Sequence, residues 1–104
     1  PPEQKSGRPA LLDGGTAAAL RAGIRTLADI LADAAVRVPA RGVTLLSRDA
    51  APHCLTYQAL DAGARRAAGA LQAAGMQPGT AVLCVFRDNE DAAALTAIWG
   101  AIYA

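Results

Sequence analysis

Few side chains in this sequence could do chemistry, and their spacing decides what each could do. His53 is the only imidazole. It closes a run of turn residues, "RDAAPH", with no serine, no cysteine-plus-acid pair and no second ligand set beside it for a nucleophilic or metal constellation. It reads as a solvated loop histidine. Cys54 and Cys84 are the only cysteines, without CxxC spacing and with one His to share a metal, which argues against zinc. Both lie in or beside apolar runs and read as small buried hydrophobes in a reducing compartment, although their spacing leaves a disulfide open. "RDNED" at Arg87 to Asp91 follows an apolar run, where open α/β sheets bind ligands and helix starts attract anions. Its three carboxylates would repel a phosphate, so the stretch reads as an acidic helix start. Gly14-Gly15 is no phosphate loop, lacking a following Lys-Ser or Lys-Thr and a preceding strand. Trp99 and Tyr103, four residues apart, fall on one helix face as an aromatic pair of the core. No residue is assigned a catalytic, cofactor-binding or metal-binding role.

The elements that would position these groups can be read from apolar spacing. Residues 1–15, "PPEQKSGRPALLDGG", hold three prolines and three glycines without periodicity and read as a linker or extended lead-in. "TAAALRAGIR" is a weak helix interrupted by Gly23, so the lead-in is taken as residues 1–25. From Thr26, residues Leu27, Ile30, Leu31, Ala34, Ala35 and Val38 make one stripe along a helix, with Thr26 and Asp29 spaced as a capping box and Pro39 as its stop. "VTLLS" and "CLTY" read as two short strands joined in a loose hairpin across "RDAAPH". Thr56 can cap a second helix over Gln58 to Ala74, with Leu60, Ala64, Ala67 and Leu71 buried and Gly75 at its end. "QPG" is a turn. "AVLCVF", Ala81 to Phe86, is continuously apolar, as a central strand covered by helices on both faces must be. With the helix before it, this predicts a right-handed βαβ crossover. Asn89 can cap a last helix to Tyr103, with Leu95, Ile98, Trp99 and Ile102 inward. No capping residue closes that helix, so truncation at the C-terminal end is expected.

The chain has 104 residues, a size suited to one core, and its ten Lys and Arg against nine Asp and Glu give a net charge of +1. That balance excludes the basic footprint of a nucleic-acid binder. No apolar run is long enough to span a bilayer and no export signal is visible, so a soluble, cytoplasmic protein is expected.

Together these segments resemble the N-terminal region of the adenylate-forming (AMP-binding) superfamily, which holds acyl-CoA synthetases, fatty acyl-AMP ligases and nonribosomal peptide synthetase adenylation domains. "LTYQALDAGARRAAGALQAAGMQPGTAVLCVF" is similar to the family's first core motif with its long helix, Gly, Pro-Gly turn and buried strand. "AIWGAIYA" resembles the opening of its second. "LLDGG", "RGVTLL" and "RDNED" with "LTAIWG" are most similar to loading-type members of polyketide and peptide assembly lines. One departure is Ala59, where the family carries Glu.

The resemblance implies α/β architecture, with residues 26–104 as the start of an adenylation domain's N-terminal subdomain. It implies a parent enzyme that uses ATP and Mg²⁺ to turn a carboxylic acid into an acyl-adenylate, releases pyrophosphate, and passes the acyl group to a thiol, such as a carrier protein's phosphopantetheine arm. The family's phosphate loop with its Lys, its adenine-contacting motif, its ribose-binding Asp and its C-terminal lysine would lie beyond Ala104. This chain is then expected to be scaffold without cofactor of its own and inactive alone, partnered by the remainder of the adenylation domain. The alternative is a stand-alone binding or docking module of an assembly line.

Overall fold

The structure, a computed structural model, describes residues 13–16, 22–48 and 51–104. Three helices and one antiparallel two-stranded hairpin make a small mixed α/β fold. The first helix, α1, runs Leu27–Arg37. Its start is fixed by a reciprocal capping box: Thr26 Oγ1 accepts the Asp29 amide at 3.2 Å and Asp29 Oδ2 accepts the Thr26 amide at 3.1 Å. At its far end the Val38 amide donates to the Ala34 carbonyl before Pro39 breaks the pattern.

Strands β1, Gly42–Leu45, and β2, His53–Thr56, pair with Gly42 opposite Thr56 and Val43 opposite Leu55. The hairpin leads directly into α2, Tyr57–Ala73, because Thr56 ends the strand and caps the helix, its Oγ1 accepting the Ala59 amide at 3.1 Å. Helix α2 closes in a Schellman motif: the Met76 amide reaches the Leu71 carbonyl and the Gly75 amide the Gln72 carbonyl, both at 3.0 Å. Gly75 sits there at φ 99°, a conformation that favours glycine. The chain then turns through Gln77 to Thr80, with Pro78 and Gly79 at the centre, Gly79 at φ 87°, and the Thr80 amide donating to the Gln77 carbonyl. This is the pattern of a type II turn.

Helix α3, Asp91–Tyr103, lies against α2. The approach is close because small residues meet there. A Cβ added at Gly100 would stand 2.5 Å from the Ala67 Cβ, and one at Gly63 would stand 2.8 Å from the Thr96 methyl. Among the described residues the buried apolar side chains are Leu31, Leu60, Ala64 and Ala68, so the core is the line where α1 and α3 meet α2.

Several expectations are corrected. Residues 81–86 form no strand, and both Leu83 and Val85 are at least 80% exposed. A parallel strand needs a strand beside it, and among the described residues β1 and β2 pair only with each other, so the crossover has nothing to join. Cys54, on the hairpin, and Cys84, in the exposed 81–86 stretch, are exposed free thiols rather than buried hydrophobes. Helix α3 starts two residues after Asn89, with Glu90 at the N-cap and no side-chain cap. Ile98 and Ile102, expected inward, are 46% and 39% exposed: α3 is apolar on all sides, and close packing through Gly100 rather than periodicity picks its inner face. Of the weak helix expected over 16–25, residues 17–21 fall outside the described residues and 22–25 form a turn and irregular chain rather than helix; most of the lead-in also lies outside.

Candidate functional site

Two recesses bring potentially reactive side chains together. The larger, about 460 Å³, lies where α1, α2 and α3 meet; Ala28, Ala32, Ala68 and Gly69 make its floor, and Asp29, Arg65, Gln72 and Tyr103 line the rest. Asp29, Arg65 and Tyr103 are already engaged. The Tyr103 hydroxyl donates to Asp61 Oδ1 at 2.6 Å, and Arg65 Nε donates to Asp61 Oδ2 at 3.0 Å. The Arg65 guanidinium stands 5.6 Å from the centre of the Tyr103 ring. Trp99 meets Tyr103 edge to face, centroids 6.5 Å apart.

Burial, first, and the bond to Asp61, second, push the Tyr103 phenol well above the ordinary tyrosine range. The hydrogen bond and charge of Asp61 likewise hold the Arg65 guanidinium more firmly protonated. Asp29, on the same wall, is held below the usual carboxylate range by the Arg25 and Thr26 amides. None of these is poised to move a proton near neutral pH. A nucleotide phosphate would find one guanidinium here, already bridged to a carboxylate.

The second recess, about 250 Å³, lies between the hairpin and the start of α3. Here folding does what the sequence did not reveal: His53, at the head of β2, faces the same space as Ser47, Asp88, Asn89 and Asp91. The pairing was hidden because these residues are distant in sequence and the hairpin, not a motif, joins them. Among the described residues no hydrogen bond links His53 to Ser47, Asp88 or Asp91, so the chain of contacts that activates a nucleophile is absent from that set. No group of three or more His, Cys, Asp or Glu among the described residues is arranged to hold a metal ion. Glu90 is turned back on its own backbone, its Oε2 accepting the Arg87 amide at 3.0 Å.

The remaining candidates are scattered. Among the described residues nothing lies within 4 Å of a Cβ added at Gly14 or Gly15, and the Gly15 amide donates to Asp13 Oδ1 at 2.9 Å. Cys54 and Cys84 take no part in either recess. Trp99 and Tyr103 form the expected aromatic pair, yet the Asp61 link to Tyr103, across 42 residues, had no sequence signal. Among the described residues no helix is long and apolar enough to cross a membrane. No protein-family model, curated protein or solved structure matches this chain.

Proposed function

We propose that this chain is a non-catalytic, cytoplasmic N-terminal scaffold piece of an ATP-dependent enzyme that activates carboxylic acids as acyl-adenylates, of the kind that serves polyketide or nonribosomal peptide assembly lines. The observation that carries the reading is an apolar run, residues 81–86, that is exposed along its whole length and rests on helix α3 along one side only. Val82 and Cys84 line a shallow groove with Ile98 and Ile102, while Leu83 and Val85 point to solvent. An uncharged apolar run with helices on one side is half of a three-layer arrangement, and the missing half is a sheet with its second helical layer.

The order of elements supports the same reading. Hairpin, Thr-capped helix, Gly-terminated end, Pro-Gly turn, apolar run and helix follow the motif order that "LTYQAL" through "AVLCVF" resembles. In the parent enzyme, Ala81 to Phe86 would become the second strand of the βαβ crossover. ATP, Mg²⁺ and a carrier protein's phosphopantetheine arm would bind residues supplied elsewhere.

The test is direct. Purified chain should give no ATP-dependent pyrophosphate exchange with any carboxylic acid and no chemical-shift change on ATP titration. Exchange above background would overturn the scaffold reading. Sequencing the coding frame past Ala104 gives the second arm: a Gly- and Ser/Thr-rich phosphate loop with a Lys supports it, and an immediate stop codon favours a stand-alone docking module.

A further inference from the structure

We draw no further inference here: the strongest candidate, the exposed apolar groove between residues 81–86 and helix α3 that Val82, Cys84, Ile98 and Ile102 line, carries nothing because nothing in the structure shows what covers it.

Discussion

Tyr103 ties the last turn of α3 to Asp61 near the start of α2 through a single charged hydrogen bond. Tyr103→Phe removes the donor and leaves Asp61 to Arg65 alone, which should cost about 1 kcal/mol in urea unfolding. The pH dependence has a definite sign. The folded phenol holds its proton above the ordinary value of 10.0, so its contribution is fully present below that value and is lost as pH rises toward the folded value. The parent's advantage over the Phe variant should therefore be flat at neutral pH and shrink only above about pH 10; a decline beginning near neutrality would mean that another group is responsible. At Ala59 the capping box of α2 is half made, since Thr56 accepts the Ala59 amide and no carboxylate returns the bond. Ala59→Glu should complete it and raise stability by up to about 1 kcal/mol, read as a shift in urea midpoint. Leu83→Ala should change stability by no more than about 0.5 kcal/mol, because a side chain 89% exposed loses little on truncation. A cost of several kcal/mol would mean that Leu83 is buried in solution.

At the scale of elements, what was legible followed from local chemistry. Thr26 with Asp29, Thr56, Gly75 and the Pro78-Gly79 turn each carry their instruction within four residues, and the helix and hairpin limits came out within about two positions. What failed was non-local. The apolar run at 81–86 says that it suits burial and not what would bury it. Helix α3, apolar on every side, holds no periodicity from which to choose a face, so spacing could not show that Ile98 and Ile102 stay exposed. The site was hardest to read, since the Asp61 to Tyr103 and His53 to Asp88 meetings depend on how α2, α3 and the hairpin are brought together. The close contact of α2 and α3 gives a contrasting pair of tests. Gly69 has nothing within 4 Å of an added Cβ, so Gly69→Ala should stabilise by about 0.5 to 1 kcal/mol through helix propensity alone. Gly100→Ala gains the same propensity but drives a methyl against Ala67, and overpacking of about 1 to 3 kcal/mol should leave a net loss. Equal effects at the two positions in thermal unfolding would contradict the helix packing described.

For the whole molecule, the decisive quantity is how little apolar surface folding removes from water. Among the described residues only two side chains larger than alanine, Leu31 and Leu60, are buried, while Leu27, Val36, Leu46, Leu83 and Val85 are more than half exposed. The heat-capacity change of unfolding is set mainly by newly exposed apolar area and amounts to about 12 to 15 cal/mol/K per residue in well-packed domains. For 104 residues, that scale would give roughly 1.2 to 1.6 kcal/mol/K. A chain that buries so few large side chains has less to expose, so calorimetry at concentrations below any self-association should find under about 1 kcal/mol/K and a correspondingly shallow urea transition. The same chain measured with its exposed face covered by the rest of an enzyme should move toward the well-packed figure because Leu83 and Val85 then enter an interior. A full-sized heat-capacity change from the isolated chain would mean that the 81–86 stretch is already covered there, and with that the scaffold reading would lose its physical basis.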